Sequence, residues 1–426
     1  MKILSLFDGM ACGALAMQAA GIKIDKYIAY EIDKYAMQAA QHNFPFIEER
    51  GDVFKADFKE YAGFDYLIGG SPCTYWSIAQ TKNRETVASG MGWELFSQYV
   101  RALHEAKPRF FLYENNKSMS AAIRASITET FGFEPILINS ALVSAQNRQR
   151  LYWCGIRQAD GTYKKADIQQ PDDRGMLLKD ILESTVQKDN MIMEPLNVDG
   201  IKYCTDKNIA HICRPFGSKA KVITENEKAP TLMAATGTGG GNGVYYAENM
   251  TIREATKAEP NCVNSQSGRA GVEGLQPSLQ DRVYDTAGKM PAVTTSFNPR
   301  IAEPVNITKD GKAGTLRATY YKDGVRNLIA NSIDKKTCVA MRVNEATKAV
   351  PIYEVKDGFI TVKGKKYPIK LVDGFYIIRK LTVRECMRLQ TVPEWYEWPV
   401  SKSQAYKMLG NGWTVEVIAH LLRGLK

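Results

Sequence analysis

Cys73 is the residue whose position in this sequence most needs a chemical explanation. It lies in the stretch GGSPCTYWS, directly after the apolar run FDYLI, and so on the turn that leaves a buried strand. A cysteine that only packs in a core is expected inside the strand. A thiolate on such a turn is a strong nucleophile, so the position points to covalent catalysis by Cys73.

Four acidic residues also follow predicted strands in this part of the chain. Asp8 and Glu31 come after the first two apolar runs, Asp52 follows the third, and Glu114 lies in the run RFFLYEN. Acidic residues in such places also cap helices, so each one alone is a weak sign of a site. Because ligands of a parallel α/β sheet bind outside the carboxyl ends of its strands, the four acids and Cys73 together predict one site.

The turn after the first apolar run reads FDGMACG, with glycines spaced as G-x-x-x-G. This spacing is neither the phosphate-binding loop G-x-x-x-x-G-K-[ST] nor the dinucleotide fingerprint G-x-G-x-x-G. A carboxylate at Glu31 can accept from both hydroxyls of a ribose, and one at Asp52 can hold an exocyclic amine. The pattern therefore favours an adenosine-bearing cofactor without requiring pyrophosphate contacts.

The elements that must position these residues alternate along the first 160 residues. Apolar runs predict strands, and the stretches between them have helical spacing, for example WELFSQYVRALHEA, which ends before Pro108. The segment LINSALVSAQNRQRLYWCGI predicts a hairpin. Strands that alternate with helices predict an α/β fold whose parallel sheet is covered by helices on both faces.

The composition and the hydrophobic periodicity of the sequence change after about residue 185, where glycines cluster and helical spacing fades. Three related pieces, KAPTLMA, GKMPAVTTS and GKAGTLRAT, each read as a turn followed by a strand, but their irregular spacing argues against true repeats. We therefore predict a β-rich, loop-rich module. Helical spacing returns at LTVRECMRLQTVP and in the closing segment TVEVIAHLLRGL.

The net charge of +10 is unevenly placed, with −3 in residues 1–200 and +13 in residues 201–426. This asymmetry is consistent with catalysis by the N-terminal half and binding of a polyanion by the C-terminal half. A basic face that is only solvated would have the same composition.

The eight cysteines form no C-x-x-C pair and there are only four histidines, so neither a zinc site nor a disulfide framework is supported. No apolar run is long enough to span a membrane and Asp8 interrupts the N-terminal one, so we expect an intracellular, cytoplasmic protein.

Taken in order, several short motifs resemble those of the DNA (cytosine-5) methyltransferases, which use S-adenosylmethionine. They are SLFDGMACG, YEID, GDVF, GGSPCTYWS, LYENN, SAQNRQRLYW, RKLTVRECMRLQTVPEWY and GNGWTV, and they cover about residues 1–160 and 378–426. The resemblance implies a Rossmann-like methyltransferase sheet joined to a β-rich target-recognition domain. Two departures are Ala11-Cys12, where paired glycines are usual, and Asn116, where valine is usual.

The resemblance also implies a mechanism. The Cys73 thiolate adds to carbon 6 of a cytosine flipped out of its duplex, and carbon 5 then attacks a methyl sulfonium. Glu114 protonates or hydrogen-bonds N3, and Arg148 and Arg150 engage O2 and a neighbouring phosphate, in an assignment the sequence leaves open.

By the same resemblance, further residues surround the ligands. The expected cofactor-binding residues are Phe7, Asp8, Gly9, Glu31, Ile32, Asp52, Val53, Ser71, Pro72, Asn411 and Trp413. The expected DNA-binding residues are Ser77, Lys82, Arg84, Thr231 and Thr315, with residues 80–92 forming a lid after Cys73.

The implied organisation has a catalytic domain over residues 1–185 and a target-recognition domain over 186–377. A linking helix of a small domain over 378–402 and a C-terminal helix over 403–426 then complete the catalytic domain. The expected partner is double-stranded DNA with a specific target, bound by a monomer without a metal or a membrane. A bacterial or phage source is expected, with restriction-modification as one setting.

Three other functions compete with this one. A cytosine-5 RNA methyltransferase belongs to the same family, but that branch typically lacks a long recognition insert. A catalytically silent DNA-binding protein would not need Cys73, Glu114 and both arginines. A nucleotide-dependent oxidoreductase would be expected to carry G-x-G-x-x-G, which is missing here.

Overall fold

The computed structural model describes most of the two ends of the chain and short strands between them. The described residues are 1–77, 84–183, 221–223, 227–234, 244–249, 253–254, 262–265, 282–284, 300–301, 327–334, 337–343, 353–362, 365–368 and 373–425.

A central sheet of eight strands forms from the front of the chain. Its strands are β1 (Lys2–Leu6), β2 (Lys26–Tyr30), β3 (Ile47–Glu49), β4 (Tyr66–Gly69), β5 (Phe110–Asn116), β6 (Ile136–Asn139), β8 (Gln149–Arg157) and β9 (Tyr163–Lys165), and a separate short strand is β7 (Gln146–Asn147). The order is β3-β2-β1-β4-β5-β8-β6, with β9 paired to β8. The first five strands are parallel, and β8 runs antiparallel to both β5 and β6, so the predicted α/β sheet and hairpin are confirmed.

Helices cover both faces of this sheet, as predicted. They are α1 (Cys12–Ala19), α2 (Lys34–Asn43), α3 (Met91–Ala106), α4 (Ala121–Phe131), α5 (Val383–Leu389), α6 (Lys402–Asn411) and α7 (Val415–Gly424). On one face, side chains of α3 and α4 pack against alternate residues of the strands, among them Leu4, Leu67 and Tyr113. On the other face α1, α2 and α7 pack against the intervening residues, among them Ile3 and Ile68. The strands are therefore buried on both sides, as parallel sheets require.

The helices begin and end where local chemistry satisfies their free backbone groups. Ser120 accepts from the amide of Ile123 at the start of α4, and Gly132 ends that helix with a left-handed φ of 78°. The helix α3 stops at Ala106, two residues before Pro108, because proline cannot donate to the helical ladder.

The C-terminal end of the chain returns to the first strands. Residues 403–426 contain two helices, α6 and α7, rather than one, separated by a turn at Gly412. The helix α7 packs on α1, so residues far apart in sequence share one core. No helix among the described residues is long and apolar enough to cross a membrane.

The described residues between the two ends are mainly strands. The described ones are β10 (Lys221–Ile223), β11 (Ala229–Pro230), β12 (Val244–Asn249), β13 (Arg253–Glu254), β14 (Cys262–Ser265), β15 (Arg282–Tyr284), β16 (Arg300–Ile301), β17 (Asn327–Asp334), β18 (Thr337–Val343), β19 (Tyr353–Lys356), β20 (Phe359–Val362), β21 (Lys365–Pro368) and β22 (Gly374–Lys380). A six-stranded sheet has the order β10-β12-β22-β19-β20-β21, and β11 pairs with β7, which precedes β8. The predicted predominance of strands is found in these described segments.

A fully buried ion pair fastens β22 to α5. Arg379 donates from both terminal nitrogens to the two carboxylate oxygens of Glu385, each at 2.9 Å, and their side chains are 1% and 0% exposed. Glu385 also accepts from the backbone amides of Thr382 and Glu183. Because so many donors converge on one carboxylate, removing the arginine leaves a buried charge without its counter-ion.

We predict that Arg379→Met lowers the free energy of unfolding by about 3–5 kcal/mol, since it breaks a buried pair. Urea unfolding followed by circular dichroism measures this. The matched control is Arg384→Met on α5, the helix that carries Glu385, because the Arg384 side chain is 58% exposed and pairs at the surface. It is expected to cost less than about 1 kcal/mol, and equal losses in the two variants would contradict the prediction.

Candidate active site

The turn that carries Cys73 lies directly against β5. Cys73 starts a 3-10 turn, Cys73–Tyr75, immediately after β4, and its thiol is partly exposed. A Cβ atom built on Gly70 would lie 2.8 Å from Oε2 of Glu114, so only glycine allows this approach. The two residues chosen from the sequence as nucleophile and acid therefore lie on adjoining segments.

The turn is anchored by a buried polar network. The hydroxyl groups of Ser71 and Tyr113 are 2.6 Å apart, and the amide of Asn115 donates to the backbone oxygen of Ser71 at 3.2 Å. All three residues are buried, and Tyr113 and Asn115 flank Glu114 on β5. A predicted cofactor residue, Ser71, thus holds the nucleophile turn to the strand that carries Glu114, while its neighbour Pro72 is exposed.

Cys73 differs from the other described cysteines in its surroundings. Cys12, Cys154 and Cys386 are buried, and burial raises the pKa of the Cys12 thiol to about 12 and those of the other two further. Buried thiols of this kind are inert because the thiolate is suppressed. Cys73 alone among these four is partly open to solvent.

Glu114 is held from both sides by donors. Its Oε1 lies 3.1 Å from Nε of Arg150 on β8, and its Oε2 accepts from the indole Nε1 of Trp413 at 2.9 Å. The side chains of Glu114 and Arg150 are 12% and 14% exposed, so the pair is largely shielded from solvent. This contact brings together two catalytic candidates and one cofactor candidate.

Arg148 has different surroundings from Arg150. It is 3% exposed and donates to three backbone oxygens, those of Leu232 (3.0 Å), Gly410 (3.3 Å) and Gly412 (2.8 Å). Burial, followed by the positive charge of Arg150, lowers the pKa of Arg148 to about 10. Arg148 therefore ties β8, the segment after β11 and the turn between α6 and α7 together.

The glycine turn after β1 has an unusual backbone. Phe7, Gly9 and Ala11 have left-handed φ values of 59°, 62° and 62°. Two of these three are not glycine, and such conformations persist where the surrounding structure demands them. The backbone amide of Gly9 donates to Oε2 of Glu31 at 2.9 Å, which joins the ends of β1 and β2.

The expected adenosine end of the site has both polar and apolar parts. Glu31 also accepts from the amides of Ile32 and Asp33, and the side chain of Ile32 is 75% exposed. Asp52 lies beyond the end of β3, which stops at Glu49, and it caps a 3-10 turn by accepting from Phe54 at 3.0 Å. Val53 on that turn is buried, whereas Asn411, the last residue of α6, is exposed.

The Asp8 side chain is buried against β1 and β2 rather than exposed on the turn. Its Oδ1 accepts from the hydroxyl groups of Ser5 and Tyr27, and its Oδ2 is buried with no hydrogen-bond partner. Burial raises the pKa of Asp8 to about 6, and the negative charge of Glu31 raises it as well. Any contact of Asp8 with a ligand would therefore involve a carboxyl that is easily protonated.

Glu49, at the end of β3, is a residue that the sequence reasoning missed. Both of its carboxylate oxygens are buried and lack a hydrogen-bond partner. Burial, followed by the negative charges of Asp8 and Glu31, raises the pKa of Glu49 to about 8. The letters EER directly before GDVF placed an acid at the end of the third strand and could have identified it. Within the described ranges, no group of three or more His, Cys, Asp or Glu side chains could hold a metal ion.

The expected DNA-binding residues are spread along the structure. The amide of Ser77 donates to the backbone oxygen of Cys73 at 2.9 Å, and Arg84 donates to the backbone oxygens of Trp76 and Ser118 at 3.1 and 2.7 Å. Thr231 donates to the backbone oxygen of Asn147 at 2.8 Å, in the stretch QNRQR (the arginine motif) that carries Arg148 and Arg150. Lys82 and Thr315 lie outside the described residues, as do the pieces GKMPAVTTS and GKAGTLRAT.

A second missed feature fastens the nucleophile turn to α3. Trp76 is fully buried and donates from its indole Nε1 to Oε2 of Glu85 at 2.9 Å, and Oε1 of Glu85 accepts from the amide of Gly92 at 3.1 Å. The amide of Trp76 donates to the backbone oxygen of Cys73. Glu85 thus links the Cys73 turn to the N-terminal end of α3, where a carboxylate is favoured by the helix dipole.

We predict that Glu49→Gln changes how stability depends on pH. The raised pKa means that the folded protein keeps a proton between about pH 4.5 and 8 that the unfolded chain releases, so the wild type loses stability as pH rises through this window. Glutamine does not titrate, so the variant gains stability relative to the wild type over the same range. Urea unfolding at several pH values measures the difference. The control is Glu48→Gln, at an exposed carboxylate paired with Arg50, and a parallel response in both variants would contradict the assignment.

Sequence comparison finds relatives that match the chain from end to end. It is 25% identical over 472 aligned residues to the orphan methyltransferase M.SPRI of Bacillus phage SPR, covering 100% of this chain and 97% of the phage protein. It is 23% identical over 465 residues to the type II methyltransferase M.BanI of Aneurinibacillus aneurinilyticus, covering 100% and 95%.

Solved structures share the fold. The Dnmt2 methyltransferase of S. pombe superposes with a TM-score of 0.52 at 14% identity, covering 100% of this chain and 98% of that one. The methyltransferase EhMeth of Entamoeba histolytica has a TM-score of 0.52 at 11% identity, covering 100% and 97%. At these identities the likeness supports the mixed α/β fold alone.

The family model described as C-5 cytosine-specific DNA methylase matches residues 1–426. Since that match spans the whole chain and agrees with the phage and type II relatives, this protein belongs to the C-5 cytosine-specific DNA methylases and is a DNA (cytosine-5) methyltransferase.

Proposed function

We propose that this enzyme methylates a cytosine flipped out of duplex DNA, with Cys73 as the nucleophile and Glu114 as the acid. One observation carries the proposal: the turn that bears the partly exposed Cys73 thiol packs against the Glu114 carboxylate, with Gly70 between them. The target atom is inaccessible inside a stacked duplex, so the base must leave the helix before it meets this turn.

The proposed reaction uses these two side chains in sequence. The Cys73 thiolate forms a bond to carbon 6 while N3 takes a proton from Glu114, which leaves carbon 5 electron-rich. Carbon 5 then forms a bond to the methyl carbon, and the sulfur of the donor leaves with the bonding electrons. A base, such as water, removes the carbon 5 proton, the bond to Cys73 breaks, and N3 returns its proton to Glu114.

The two arginines take different parts in this proposal. Arg150 lies beside Glu114 and is partly exposed, so it is placed to donate to O2 of the base or to a phosphate. Arg148 has its donors directed at three backbone oxygens and is buried, so its part is to position the turn that carries Trp413.

The proposed methyl donor is S-adenosylmethionine, which supplies an electrophilic methyl group on a sulfonium. The residues fit such a group. Asp8 and Glu49 have buried carboxyl oxygens without a partner, and a cation or hydrogen-bond donor bound beside them would favour their ionised forms. Glu31 would hold the ribose, Asp52 the adenine amine, and the exposed Ile32 an apolar surface of the ring.

The proposed partner is double-stranded DNA with a specific target, bound by a monomer in the cytoplasm of a bacterium or a phage-infected cell. The catalytic domain would comprise residues 1–185 and 378–426, and residues 186–377 would read the target. Residues 227–234 contact the stretch that carries the two arginines: β11 pairs with β7, and Arg148 donates to the backbone oxygen of Leu232. Lys82 and Arg84 are proposed to approach the backbone phosphates, and Thr231 and Thr315 to lie at the recognition core.

We predict that host DNA from cells that express the wild type contains 5-methylcytosine at one recurrent sequence, as bisulfite sequencing reports. Cys73→Ala is expected to leave DNA unmethylated because carbon 6 cannot be activated. Cys386→Ala is the matched control at a buried thiol and should retain methylation. Full conversion of every cytosine in DNA from cells that express the wild type, together with methylation of transfer RNA, would replace the DNA proposal with an RNA one.

The nucleophile has a direct test in vitro. A duplex that contains 5-fluorocytosine at the target should form a covalent adduct with the wild type only when S-adenosylmethionine is present, because fluorine blocks the final elimination. Cys73→Ala should form none. An adduct that persists in this variant would show that another residue is the nucleophile.

A further inference from the structure

We propose that Trp413 is a positioning residue for the catalytic acid, acting through the hydrogen bond from its indole to Glu114. This inference rests on the proposed function, in which Glu114 protonates the base. It adds a part for Trp413 that differs from contact with the cofactor.

The geometry joins three segments at one carboxylate oxygen. Oε2 of Glu114 accepts from Trp413 at 2.9 Å, and the same oxygen lies against Gly70 of the nucleophile turn. A Cβ on Gly70 would also lie 3.4 Å from the indole nitrogen of Trp413. Because Oε1 is held by Arg150, the two donors together fix the plane of the carboxyl group.

Trp413 is itself held in place by buried side chains. The backbone oxygen of the preceding Gly412 accepts from Arg148 at 2.8 Å and from Gln390 at 3.3 Å. The hydroxyl of the following Thr414 donates to Oε1 of Gln390 at 2.8 Å. A backbone held on both sides of one residue cannot rotate freely, so the indole is aimed at Glu114 before any ligand binds.

The hydrogen bond has a chemical consequence. A donor to a carboxylate favours its ionised form, whereas the proposed acid must be protonated to act. The other charged or titratable groups around Glu114 are Arg150, Arg148, Tyr113, Tyr152 and Cys73. Trp413 therefore fixes the orientation of the Glu114 carboxyl among these groups.

The test compares Trp413→Phe with Trp398→Phe on the wild-type background. Trp398 is a matched control, because its indole donates to the sulfur of Met387 at 3.1 Å in the same C-terminal region. Phenylalanine keeps an apolar ring at position 413 but removes the donor. We expect kcat for DNA methylation to fall about 10-fold in Trp413→Phe and to stay near the wild-type value in Trp398→Phe.

Two further readouts separate positioning from binding or packing. Calorimetry should show the affinity for S-adenosylhomocysteine changed by less than about threefold, because the ring is retained. The KM for DNA should stay near the wild-type value in the same variant, so that the loss appears in kcat rather than in binding. A loss of affinity with kcat unchanged would make Trp413 a cofactor contact only and overturn the inference.

A spectroscopic measurement keeps the inference testable if Trp413→Phe fails to fold. In protein labelled with ¹⁵N-tryptophan, which has six indole N–H groups, one indole resonance should shift in Glu114→Gln. No shifted indole would overturn the inference. A wild type that methylates no DNA would instead overturn the proposed function and the inference with it, whereas an active wild type with an unaffected Trp413→Phe overturns the inference alone.

Discussion

The carboxylate of Glu114 sets the central constraint on this structure. It is 12% exposed, and a charge so far from water must be compensated by donors in the protein. One donor, Arg150, comes from the neighbouring strand β8, and the other, Trp413, lies 299 residues further along the chain. The proposed acid therefore has both of its donors only when the C-terminal end has returned to the sheet, which packing of α7 on α1 achieves.

Close packing around Glu114 and Trp413 also explains two glycines, Gly70 and Gly410, whose φ values are not left-handed. Gly70 leaves room for Oε2 of Glu114, and a Cβ on Gly410 would lie 2.1 Å from the backbone of Met233. Gly410 therefore admits the segment after β11 against the turn that holds Trp413. Since Arg148 donates to the backbone on both sides of this contact, the arginine motif connects residues 227–234 with the acid in one packed unit.

The sequence predicted the parts of this site that depend on strand ends. Alternating apolar runs located β1, β2, β4 and β5, so Glu31, Cys73 and Glu114 were placed correctly with respect to the sheet, and residues 403–426 were expected to rejoin it. What could not be predicted depends on side-chain direction over long separations. The sequence QNRQR does not distinguish Arg148 from Arg150. In the structure Arg150 contacts Glu114, whereas Arg148 donates to three backbone oxygens of residues that come well after β8 in the chain. The letters EER put an acid at the end of the third strand, but they do not show that the Glu49 carboxylate is buried near Asp8 and Glu31, and the residue was therefore missed.

The two ends of the site differ in how their charges are balanced. At the catalytic end, Glu114 has Arg150 beside it, whereas at the other end Asp8 and Glu49 keep buried oxygens without partners. Folding with such groups costs stability, and a ligand that binds only the folded state recovers it. An acidic field also favours a cation over a neutral molecule of the same shape. Because the pKa of Glu49 is raised to about 8, this carboxyl is mostly protonated near neutral pH, and a ligand that brings positive charge or hydrogen-bond donors to it would lower that pKa and release the proton.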